Sequence, residues 1–187
     1  MNRILFMLLL LTVMTACKKD DKAASAPELI RKYELAGRYA AQISPVFMGT
    51  MPMASGTHEL LVEDLGDGRI RLFFDKFQEA PMPFMMSVDI NLSVKDGGSN
   101  TLTLEGANGS FRADPPEGGS IDPDDMLPGI QLPEGAEGGM ASSQASIKGT
   151  YSLLEKEGTT AMRFNLTLTP GLPLPIEILI YTKQKLQ

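Results

Sequence analysis

The stretch "FMMSVDINLSVK", Phe84 to Lys95, decides the fold. Met86, Val88, Ile90, Leu92 and Val94 alternate with Ser87, Asp89, Asn91, Ser93 and Lys95. A strict period of two puts successive side chains on opposite faces of an extended chain, so this is a β-strand with one apolar face and one wet face. An amphipathic helix would repeat its apolar residues at three and four positions instead.

The same period recurs on both sides of it. "GRYAAQIS" (Gly37–Ser44), "THELLVEDL" (Thr57–Leu65) and "RIRLFFDKF" (Arg69–Phe77) precede it. "TLTLEG" (Thr101–Gly106), "QASIKGTYSLL" (Gln144–Leu154), "AMRFNLTLT" (Ala161–Thr169) and "PIEILIYTK" (Pro175–Lys183) follow. "GDG" at Gly66–Gly68 and "DGGSN" at Asp96–Asn100 are hairpin signals, because Gly, Asn and Asp supply the positive φ that tight turns between twisted strands require. Eighteen glycines and thirteen prolines, mostly between apolar stretches, suit such a turn-rich chain. Eight sequential strands with one apolar face each predict an all-β fold, an eight-stranded up-and-down antiparallel β-barrel, since closure removes the edges an open sheet would expose. A two-sheet β-sandwich is the alternative. Before the strands, "PELIRKYEL" places Leu29 and Tyr33 four apart behind Pro27, which reads as a short N-terminal helix.

"LAGRYAAQI" (Leu35–Ile43), "FMGTMPMASGTHEL" (Phe47–Leu60), "GDGRIRL" (Gly66–Leu72) and "PLPIEILIYTKQ" (Pro173–Gln184) together resemble the calycin-like lipoproteins of Bacteroides-type bacteria. The resemblance implies a lipocalin-like barrel and a surface address. It implies no activity, since members of that family are mostly of unassigned function. Where lipocalins carry Gly-x-Trp on the first strand, this chain has Gly37-Arg38-Tyr39, with the tyrosine in the place of the ring that plugs the barrel end.

The N-terminus gives the address. Arg3 precedes an apolar run from Ile4 to Met14, interrupted only by Thr12 and too short to span a bilayer, which takes about 18 residues or more. Thr15 and Ala16 lead into Cys17, the sole cysteine, and small residues directly before a cysteine resemble a bacterial lipobox. The resemblance implies cleavage before Cys17 and acylation of its thiol. With no second cysteine there is no disulfide to form within the chain. Lys19, Asp20 and Asp21 lie in a charged cluster that resembles the export signal of Bacteroides-type surface lipoproteins, and the other reading of the cluster is a solvated tether. The expected organisation is a signal peptide at 1–16, a lipidated tether and short helix at 17–34, and a barrel domain at 35–187 with a long acidic Gly/Pro-rich loop at 108–143.

Loss of Arg3 takes the formal charge from −6 to −7, without a basic stripe, which argues against nucleic acid. His58, the only histidine, has no nucleophile or carboxylate orienter in its motif and reads as a strand-edge residue. No catalytic residue, metal or cofactor is expected. Asp122, Asp124 and Asp125 lack the spacing of a Ca²⁺ loop. Met48, Met51 and Met53, with Met82, Met85 and Met86, concentrate thioethers in two loop-to-strand segments. Thioethers select Cu(I), but they also fill irregular gaps at a barrel rim. The mostly large aliphatic inward set predicts a well-filled interior. Any cavity should be small, apolar and open near Met48, Met51 and Met53, with Phe164 inside it. Two functions follow as expectations: a lipid-anchored barrel that weakly binds a small apolar or glycan-derived ligand at that mouth, or an interaction or accessory subunit for a surface protein partner.

Overall fold

The structure, a computed structural model, describes residues 24–47, 49–121, 138–156, 159–169 and 175–186. Among the described residues, one helix, α1 (Ala26–Lys32), precedes nine strands: β1 (Gly37–Phe47), β2 (Met51–Pro52), β3 (Gly56–Asp64), β4 (Arg69–Phe77), β5 (Met85–Gly98), β6 (Thr101–Asp114), β7 (Met140–Lys156), β8 (Thr159–Thr169) and β9 (Ile176–Leu186). Eight of them follow one another antiparallel in the order β1-β3-β4-β5-β6-β7-β8-β9, and β9 returns to pair with β1 from Arg38↔Leu186 to Phe47↔Ile176. That last ladder makes the sheet a closed barrel and excludes the sandwich. The ninth strand is β2, two residues that pair only with the end of β1.

Alternation sets which face is inside. The alternation puts Leu60 and Val62 of β3, Ile70, Leu72 and Phe74 of β4, Ile176, Ile178 and Ile180 of β9 and the whole series Met86, Val88, Ile90, Leu92 and Val94 of β5 inward, and all are buried. On β8, Phe164, Leu166 and Leu168 are buried in the same phase, and the side chain of Met162 lies outside the described residues. Outward positions carry ion pairs: Arg71 with Asp89, Lys95 with Glu105, Arg38 with Glu59. A membrane-spanning barrel has the opposite arrangement, with an apolar band facing lipid. This barrel therefore has an aqueous outer wall.

Two expectations need correction. The long loop expected at 108–143 is shorter, because β6 runs on to Asp114 and β7 begins at Met140, with Phe111 pairing Val88 and Ala113 pairing Met86. The register slips at the bulge around Gly106–Gly109, where Asn108 takes φ 58°, and alternation resumes one step out of phase. Phe111, Ala113 and Ala145 all point inward beyond that slip. The acidic residues 122–137 lie outside the described residues. The second concerns the barrel boundary expected at residue 35, because the short helix expected before it, α1, packs into the barrel core. Leu29, Ile30, Tyr33 and Leu35 are buried in one contiguous apolar cluster with the strands. The α1 N-terminus is held by Glu28, whose carboxylate accepts from Ser25 N (2.7 Å) and Ser25 Oγ (2.8 Å). It lies against the β3–β4 turn so closely that a Cβ on Gly68 would stand 2.9 Å from Ala26 Cβ, and Gly68 also needs φ +83°.

Candidate functional site

Up-and-down topology sorts the connections between the two barrel ends. At the α1 end lie the short connections of β3–β4, β5–β6 and β7–β8, and the first two are tight turns, such as the Ser99–Asn100 pair with φ 51° and 60°. At the other end, the rim, lie the longer connections 48–55, 78–84, 115–139 and 170–175. Binding residues concentrate on such loops because a rigid scaffold positions them.

The α1 end is closed. Tyr39 Oη donates to Leu35 O (2.9 Å) and Glu34 O (3.1 Å), and Lys185 Nζ lies 5.7 Å from the centre of its ring. Tyr39 thus stands where the expected plugging ring should be. Tyr33 meets Tyr151 edge-on at 5.7 Å, and Tyr151 meets Phe164 at 5.2 Å. Burial pushes the phenol pKa of both Tyr39 and Tyr151 well above the ordinary tyrosine value, with nearby Glu34 adding to the effect at Tyr39. These groups stay neutral hydrogen-bond donors.

The rim is also filled. Met53, Met82, Phe84, Phe47, Phe77 and Ile121 are all buried in the same core cluster. Met53 N donates to Pro45 O (3.0 Å) and Met82 N to Glu79 O (2.8 Å), which fold the two connections inward. The thioethers of Met53 and Met82 sit among hydrocarbon and act as gap fillers. Met51 pairs with Phe47 in β2, and Met48 lies outside the described residues, as do Cys17, Lys19, Asp20 and Asp21. Phe164 points into the interior, as the alternation of β8 predicts, and is wholly buried against Tyr151. The expected mouth at Met48, Met51 and Met53 includes Met48, which lies outside the described residues. An open groove of about 700 Å³ lies on the neighbouring connection, lined by Gln78, Glu79, Ala80, Pro81, Met82 and Pro83. Its lining is mixed, with an amide and a carboxylate beside the apolar side chains.

His58 belongs to a cluster that sequence reasoning did not assemble. Its Nε2 donates to Asp75 O (2.5 Å) and its ring meets Phe77 edge-on at 5.8 Å. Ser87 Oγ donates to Asp75 Oδ1 (2.7 Å) and accepts from Lys76 N (2.9 Å). Serine, histidine and aspartate therefore meet, but in the wrong order for acyl transfer. There the imidazole takes the hydroxyl proton, whereas here the hydroxyl gives it to the carboxylate and the imidazole bonds main chain. The cluster braces the bulge of β4, where Lys76 takes φ 52° and the register slips between Phe74 and Phe77. The sequence carried one signal of it: Phe74 and Phe77 are three apart, which breaks the period of two.

On the wall beside it, Arg71 holds Asp89 through two 2.7 Å bonds, reaches Glu63 at 3.4 Å, and lies 5.1 Å from the centre of the Phe73 ring. The Asp89 hydrogen bonds hold the guanidinium protonated more firmly than usual. Among the described residues, no group of three or more His, Cys, Asp or Glu side chains is arranged to hold a metal ion. Compared with known proteins, the chain matches no family model, no curated protein and no solved structure.

Proposed function

We propose that this chain is a calycin-like, lipid-anchored protein of the outer membrane, facing outward, whose barrel serves as an interaction or accessory subunit for a protein partner. The observation that carries this reading is the filled interior: α1 closes one end with Tyr33, Leu35 and Tyr39, and the rim residues Met53, Met82 and Phe84 occupy the other. A barrel of eight strands either packs its own side chains or keeps room for one small ligand, and here large rings occupy that room. What is left for recognition is outside, on the rim connections, where the 78–83 groove offers a concavity. The address rests on the lipobox-like and export-signal-like residues around Cys17.

Two measurements test the reading. Titration of the folded mature domain with a hydrophobic dye should give no saturable binding; saturable binding would restore the ligand-capturing barrel in its place. A photo-crosslinking residue at Gln78 should give a discrete adduct in intact cells, and the same residue at Thr150 on the wall should not. Equal labelling at both positions would remove the rim from the reading.

A further inference from the structure

We infer that the barrel stands on the bilayer with its α1 end toward the lipid headgroups and its rim pointing away. This rests on the proposed acylation of Cys17 and adds an orientation to it. The occupant of the α1 end is then a phospholipid headgroup surface.

Three observations lead there. Ala26 lies against Gly68 in the β3–β4 turn, so the chain enters the barrel at the α1 end. From Cys17 to Ala26 is nine residue steps, which reach at most about 32 Å. The eleven residues of β1, at about 3.3 Å each and tilted by about 40°, rise roughly 28 Å between the two ends. An inverted barrel, resting on its rim connections, would need nearly the whole reach of the tether strung along its wall. Upright, the same nine steps retain slack. Connection length agrees with this, since the short connections lie at the α1 end and the longer ones at the rim. The face that lipid would cover therefore carries least, and the 78–83 groove is left on the side open to a partner.

The test uses the full lipidated chain in phosphatidylcholine–phosphatidylethanolamine vesicles containing a headgroup-labelled quencher lipid. Lys32→Cys reports the α1 end and Glu117→Cys the rim; both positions are exposed, and acylation of the only native cysteine leaves one thiol for a fluorophore. Quenching at position 32 should exceed that at position 117 several-fold. Equal or reversed quenching on vesicle-bound protein would overturn the orientation while leaving the anchor standing. If the protein does not float with the vesicles at all, the anchor is wrong and the orientation falls with it.

Discussion

Phe164→Ala tests the filled interior most directly. The ring is fully buried, it meets Tyr151 at 5.2 Å, and Phe164 pairs with Tyr151 on β7 and Ile180 on β9, so no surface loop can move in to replace it. Truncating a buried phenylalanine costs about 3–5 kcal/mol, the loss of transfer energy plus the cavity left behind. For a domain of this size each kcal/mol moves the melting temperature by about 2–4 °C, so the midpoint should fall by roughly 10 °C. The cavity would be dry and apolar, the kind that takes up benzene. Benzene at about ten times its Kd would return about 1.4 kcal/mol, a rise of roughly 4 °C in the variant and none in the wild type. Thermal unfolding followed by circular dichroism, with and without benzene, reads both effects. A fall of only a degree or two, with benzene stabilising the wild type equally, would mean that Phe164 lines space that is already empty. The interaction-subunit reading would then lose its main support.

Three further outcomes are expected. Asp89→Asn should cost less than about 1 kcal/mol in denaturant unfolding, because both partners of the Arg71–Asp89 pair are about a third exposed; a loss of several kcal/mol would contradict this. Tyr39 and Tyr151 hold their protons more tightly folded than unfolded, so their contribution is complete below the ordinary tyrosine pKa near 10 and is lost as pH rises above it. Alkaline unfolding should therefore coincide with the tyrosinate absorbance of these two, and Tyr39→Phe should move it to higher pH; ionisation of both without unfolding would refute their burial. Cys17→Ala should move the protein out of the membrane fraction, and replacing Lys19, Asp20 and Asp21 with alanine should leave it lipidated but protected from protease added to intact cells. Retention of the first variant in membranes, or equal digestion of the second, would defeat those assignments.

By itself the sequence determined the class of fold and most of its core. Period-2 alternation in Phe84–Lys95 and its neighbours is local, because consecutive side chains in a strand must point to opposite faces, and the prediction for Met86 to Val94 needed no partner strand. The turns at Gly66–Gly68 and Ser99–Asn100 were legible for the same reason, since positive φ selects residue type one position at a time. Tertiary structure alone decided what depends on partners distant in the chain. Closure rests on β1 finding β9, more than a hundred residues later, and no local pattern distinguishes that from a sandwich. The continuation of β6 to Asp114 was hidden because the bulge at Gly106–Gly109 reverses the phase of alternation, leaving Phe111 and Ala113 looking like loop residues. Leu29 and Tyr33, four apart behind Pro27, spell a helix but not what it covers; only the position of Tyr39 and Tyr151 beneath it makes α1 a plug. Likewise His58, Asp75 and Ser87 sit on three different strands, and they meet only because a bulge in β4 turns one carbonyl toward an imidazole.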